Sequence, residues 1–201
     1  ESVTIGTYDL PDIVSRMKRE SPGLRIQARI ASGGTLEELL LRNELDAALI
    51  EGFIGSADLT QTAYGEDTMQ LIVPPNHPLL GKAVVTLADV AACDLLLREK
   101  GSAGRAFLDS VFLVQGLDPH PAWESMSTQA LVQGVAHGLG VAILPEKLVR
   151  EDVRAGRVAA CVLADVSLRR KLYLVHHGNK FLTPALRRFG ELAARKQSEA
   201  D

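Results

Sequence analysis

Cysteine is nearly absent from this chain. Cys93 and Cys161 are the only two in 201 residues, with no CxxC and no Cys/His cluster, which excludes a disulfide framework and a cysteine-rich zinc site. Each sits beside apolar residues, so buried free thiols are expected rather than a bridge, in keeping with a reducing, cytoplasmic compartment. Positive charge is not in excess: 22 Lys and Arg face 25 Asp and Glu, a formal net charge of -3. A basic stripe for nucleic acid is therefore missing. Long apolar runs are missing too. The best candidate, residues 138–144, is glycine-rich and far short of the ~20 residues that span a bilayer. Glu1-Ser2-Val3-Thr4 lacks the basic start and apolar stretch of an export signal.

Catalytic signatures are lacking as well. No GxSxG elbow, HExxH, GxxxxGK[ST] or strand-borne GxGxxG occurs. Gly138-Leu139-Gly140 follows a helix and precedes a strand, the reverse of a dinucleotide fingerprint, and reads as a tight turn using glycine at positive φ. His176-His177 has no carboxylate or cysteine at ligand spacing, so a strand-end or hinge role is expected and no metal. His77 and His120 lie among prolines without an acid–base partner. No cofactor is implied.

What is present is the composition of a globular protein, 46% hydrophobic and 23% charged, in an alternating α/β pattern. Leu24, Ile26, Ala28 and Ile30 alternate with polar residues, a period of two that predicts a half-exposed strand. Thr35-Leu36-Glu37-Glu38 reads as a capping box opening a helix, and residues 46–50 as a buried strand, together a βαβ unit. Further helices are predicted over 11–20, 104–115, 127–137, 145–155 and 184–195, with strands at 69–73, 95–97, 141–144 and 172–175. A mostly parallel sheet is the expectation.

Pro74-Pro75-Asn76-His77-Pro78 cannot sit in a central strand and reads as a crossing between two lobes; a second crossing is placed at Val175-His176. The last helix must bury Leu186, Phe189, Leu192 and Ala193, and the first lobe has fewer helices to cover its sheet. The expected partition is thus 1–75 plus 176–201 for the first lobe and 76–175 for the second.

Small polar residues stand just ahead of several helices: Ser2-Val3-Thr4, Ser32-Gly33-Gly34-Thr35, Gly101-Ser102-Ala103-Gly104 with Arg98 upstream and Arg105 in the first turn, and Ser127-Thr128. Helix N-termini offer unpaired N–H groups, and glycine allows close approach. Each loop alone is ordinary capping. Four divided between two lobes point to a cleft for a small anion.

The residues from Ser2 to Pro11, Leu45 to Gly52, Val73 to Leu79, Leu97 to Arg105, Ser127-Thr128, Gly138 to Pro145 and Phe181 to Ala185 resemble, in order, the effector-binding domain of LysR-type transcriptional regulators. The resemblance implies a type 2 periplasmic-binding-protein fold, two Rossmann-like α/β lobes joined by two crossing strands. It implies a homodimer or tetramer, an effector in the inter-lobe cleft, and DNA reached only through a winged helix-turn-helix that these residues do not contain. Carried over residue by residue, Ser2, Thr4, Ser32 and Gly33 are first-lobe effector contacts. Ser102, Ser127 and Thr128 are second-lobe contacts, and Arg98 is a charge partner for an anionic effector. The alternatives are a solute-binding protein of a transporter, which needs an export signal, and an enzyme on the same fold, which needs a paired base. No catalytic residue and no membrane partner are expected.

Overall fold

The computed structural model describes residues 3–52 and 54–198. In chain order the elements are α1 (Val3–Tyr8), α2 (Leu10–Glu20), α3 (Gly33–Leu41), β1 (Ala48–Glu51), β2 (Leu59–Val73), a 3-10 turn (Pro78–Gly81), α4 (Leu87–Ala91), β3 (Leu95–Arg98), α5 (Ala103–Val114), β4 (Pro121–Ser125), α6 (Thr128–Ala136), β5 (Ala142–Pro145), α7 (Glu146–Arg154), β6 (Ala159–Cys161), β7 (Arg169–His177) and α8 (Pro184–Ser198). No helix among the described residues is long and apolar enough to cross a membrane. The chain divides into two compact units, one of residues 1–67 and 170–201, the other of 68–169.

In the first unit β1 pairs antiparallel with β7, Ala48 opposite Val175 through Glu51 opposite Leu172. The pleat separates two cores. Ala48, Ile50 and Val175 face Leu36 and Leu40 of α3. Leu49 and Leu172 face Ile5, Ile13, Met17, Leu192 and Ala193, so α1, α2 and α8 cover that side. Phe189 packs half-buried against the same cluster. Arg170, whose side chain is 2% exposed, lies 2.7 Å from Glu51 and 2.5 Å from Asp67 and ties β1 and β2 to β7. Such a group is costly to bury unless its charge is met, which both carboxylates do here.

The second unit is a three-layer sandwich. Leu95 and Leu97 of β3 and Ile143 of β5 pack with α4 and α5 through Leu87, Val90, Leu108 and Phe112. Leu96, Ala142 and Leu144 face the opposite way, onto Leu131, Val132 and Val135 of α6 and Val149 of α7. β3 and β4 are parallel, and a bridge from Leu95 to Val141 continues that direction. β2 runs antiparallel to both β5 and β6.

Several expectations are corrected. The alternating segment at 24–30 joins no ladder among the described residues, although Leu24 and Ile26 are half-buried in the first unit's core. Period two specifies an extended chain and its faces; it does not supply a pairing partner. The helix after it begins at Ser32, whose Oγ accepts from Thr35 N–H, so Thr35 is inside the helix and not its cap. Val3 and Thr4 belong to helix α1 instead of a loop, with Thr4 buried. The sheet is not mostly parallel: β2 and β7 carry the chain between units and run counter to the strands they meet, a direction that hydrophobic pattern does not encode. The units divide inside these strands, at 67/68 and 169/170; Pro74-Pro75 and Val175-His176 lie past those points, at the strand ends. Prolines end a ladder, whereas a crossing strand keeps its hydrogen bonds. Cys93 and Cys161 are free and half-buried, and burial pushes both thiols up.

The Gly138-Leu139-Gly140 turn has the conformation expected of it, with φ of 75° at Gly138 and 154° at Gly140. A Cβ on Gly140 would lie 2.2 Å from the Asp94 carbonyl oxygen, which itself accepts from Val141 N–H. Backbone cannot yield there as a side chain could. Gly140→Ala is expected to lower the unfolding free energy by roughly 3 kcal/mol and Gly138→Ala, with open space around it, by only about 1. Urea denaturation of the two variants checks this; equal losses would contradict it.

Candidate functional site

The parallel register of β3 and β4 sets Arg98 opposite Ser125 at the carboxyl ends of both strands. Each strand leads within a few residues into a helix, α5 capped by Ser102 and α6 capped by Ser127. Two helix N-termini therefore open on one sheet edge, the place where α/β sheets present a crevice to ligands.

Side-chain chemistry there is specific. Ser102 Oγ accepts from Arg105 N–H at 3.1 Å, and Ser127 Oγ from Ala130 N–H at 3.2 Å. A capping serine uses an oxygen lone pair for this and keeps its own hydrogen to donate. Ser125 Oγ accepts from Ser127 N–H at 3.1 Å, which fixes the turn into α6. Arg98 donates from Nη1 to Thr128 Oγ1 at 3.2 Å and so joins the end of β3 to the start of α6. Its Nε and Nη2 donate to the two carboxylate oxygens of Glu99, at 2.8 and 2.9 Å. Burial alone would push the Glu99 carboxyl up; the Arg98 bonds outweigh it and hold the group below its usual range.

Arg105 is the second guanidinium of this edge, and its Nε and Nη1 are engaged within the protein. Its side chain is 6% exposed, its Nε donates to Asp109 at 2.7 Å, and its Nη1 donates to Glu124 and to the Arg98 carbonyl, both at 3.0 Å. It fastens α5 to the ends of β3 and β4 and is a positioning residue. Burial would lower its basicity, but the two carboxylates reverse the sign.

Of the residues singled out from sequence, Arg98, Ser102, Ser127 and Thr128 lie together on this edge of the second unit. Ser32 and Gly33 form the N-terminus of α3 in the first unit, with Ser32 Oγ 3.0 Å from Thr35 Oγ1. Thr4 is only 4% exposed, inside α1, and Ser2 lies outside the described residues. Glu99, Glu124 and Ser125 had no place in the sequence-derived site, and Arg105 figured there only as a residue in the first turn of its helix. Adjacency of Glu99 to Arg98 was visible; the reach of Arg105 back to β4 needs the fold. Among the described residues, no three His, Cys, Asp or Glu side chains cluster to hold a metal.

The second unit also has a small polar cavity of about 290 Å³, lined by Pro74, His77, Cys93, Asp94 and the Gly138–Gly140 turn. His77 Nδ1 accepts from Leu79 N–H and Cys93 Sγ donates to the Asp89 carbonyl, so neither is set up for chemistry. Asp89, inside α4, completes a capping box with Thr86, and the Lys82 ammonium and Thr86 bonds hold the pKa of its carboxyl down at about 2.

Capping makes a separable demand on Ser102. Ser102→Ala is expected to cost about 1 kcal/mol of stability and Ser102→Gly only a few tenths, because glycine leaves the N-terminal N–H groups open to water. Equal losses in thermal or chemical unfolding would show that the hydroxyl is not acting as a cap.

Comparison with known proteins bears on the chain as a whole. The profile of the LysR substrate binding domain matches residues 2–198. HTH-type transcriptional regulator YeiE of Escherichia coli (strain K12) is 31% identical over 188 residues, covering 94% of this chain and 64% of that protein. HTH-type transcriptional regulator CysL of Bacillus subtilis (strain 168) is 30% identical over 175 residues, with 87% and 58% covered. The chain thus spans about three-fifths of the length of these curated relatives. Among solved structures, the effector binding domain of QuiR in complex with shikimate superposes with a TM-score of 0.82 at 19% identity, over 98% of this chain and 94% of that one. The Synechocystis PCC6803 CcmR regulatory domain in complex with 2-PG gives 0.86 at 19%, over 96% and 93%. These likenesses establish the type 2 periplasmic-binding-protein fold expected from the sequence.

Proposed function

Since the chain belongs to the LysR substrate binding domain family, we propose that it senses a small acidic metabolite at the carboxyl edge of β3 and β4 and passes that state to a DNA-binding part of a transcriptional regulator. The observation that carries the reading is the Arg98–Thr128 hydrogen bond, which sets a guanidinium between two helix N-termini on one edge. Partial positive charge from both helices, hydroxyl hydrogens of Ser102 and Ser127, and the Arg98 fork suit a carboxylate or phosphate. The first unit has a serine-capped helix N-terminus of its own at Ser32-Gly33.

The ligand acts as a signal only if it binds one arrangement of the regulator better than another. Assembly as a homodimer or tetramer in the cytoplasm completes the proposal. The relatives are transcriptional regulators, which favours this over a transporter's solute-binding protein or an enzyme.

The test is a thermal-shift screen of small carboxylates and phosphates, beginning with shikimate and 2-PG, followed by calorimetry on the compound that stabilises the chain most. Thr128→Ala is expected to weaken its binding by about 1–2 kcal/mol, and Arg98→Met by more. Unchanged affinity in both variants would refute the site.

A further inference from the structure

Arg98 is not waiting with an empty fork. Two of its three donor nitrogens meet Glu99 side on, one to each carboxylate oxygen, which is the geometry an incoming carboxylate or phosphate needs. The third nitrogen is on Thr128. Neither side chain of the pair is loose on the surface: Arg98 is 16% exposed and Glu99 26%. Nor does the neighbourhood offer a spare guanidinium, since Arg105 is engaged by Asp109, Glu124 and the Arg98 carbonyl. Arg98 and Arg105 thus face three carboxylates, and the edge carries no surplus positive charge.

We infer that Glu99 is a resident counter-anion for Arg98 and sets the selectivity of the site, so that a ligand enters the fork only by displacing it. The inference rests on the proposed binding edge. Because Glu99 is tethered next to Arg98, its carboxylate competes at a high effective concentration, which dilute external anions must match. A ligand sees an affinity reduced by the fraction of time the fork is open. A simple monocarboxylate offers Arg98 nothing that Glu99 does not already provide, and it is excluded. A phosphate, with more charge and a third oxygen for the α5 and α6 N-termini, gains enough to displace it, as does a carboxylate whose hydroxyls reach Ser102 or Thr128. Once displaced, Glu99 is free to accept from a ligand hydroxyl or amine, which adds a second criterion for admission.

Glu99→Gln keeps the size of the side chain and removes its charge. Titrating the whole chain with inorganic phosphate, shikimate and acetate separates the possibilities. The expected result is that Glu99→Gln binds phosphate or shikimate about tenfold more tightly than the natural chain and loses most of its discrimination against acetate. Glu99→Asp, which retains charge, keeps the discrimination. Combining Arg98→Met with Glu99→Gln abolishes the gain. No gain in Glu99→Gln, including no detectable binding by either protein, overturns the inference. A gain that survives in the double variant also overturns it, because the cause is then net charge and not release of Arg98. If Arg98→Met alone binds the probes as the natural chain does, the binding edge itself is wrong, a failure distinguishable from loss of the Glu99 effect alone.

Discussion

Parallel pairing of β3 with β4 is the constraint on which the functional edge depends. Two parallel strands end on the same side, so both connections must leave from that side and both following helices must begin there. An antiparallel pair would have placed one helix start at each end and divided the donors. With the register fixed at Arg98 opposite Ser125, the caps Ser102 and Ser127 are brought to one edge, which Arg98 and Arg105 then tie across to Thr128 and Glu124. Leu95 and Leu97 face the core under α5 and Leu96 the core under α6, so β3 is buried on both faces, and its ladder to β4 shifts by one residue between Leu95 and Leu96 before it reaches Arg98.

Charge is the second constraint. Arg105 binds three acceptors from α5, β3 and β4 while almost wholly buried, so it acts as a fastening of the edge and not as a receptor for ligand. Arg98 has one neutral tie to Thr128 and one ionic tie to Glu99. Only the ionic tie is exchangeable for another anion at little structural cost, since Thr128 still anchors the guanidinium when Glu99 leaves. The first unit shows the contrasting case: Arg170 holds Glu51 and Asp67 in a core where no ligand could replace either.

Much of this was legible in the residues. Ser102 and Ser127 announced helix starts, and Leu192 and Ala193 announced the face that the last helix buries. The family resemblance was legible in motif order. Illegible were features that depend on a partner distant in sequence. Residues 24–30 have a strand's periodicity without a ladder, and the strands through which the chain passes between units run counter to their neighbours. Thr4 stood out as a small polar residue near the chain start, yet helix α1 buries it. Glu99 escaped notice because a carboxylate beside an arginine reads as ordinary charge alternation until strand and turn fold the two side chains together.

Amide chemical shifts measured by NMR while the stabilising metabolite is titrated test the account most directly. If the β3–β4 edge is the binding site, the largest changes fall on the backbone N–H groups of residues 102–105 and 127–130, at the starts of α5 and α6. Changes centred on His77, Asp94 and Gly138–Gly140, with those amides unmoved, would place the ligand in the other cavity of this unit and contradict the account.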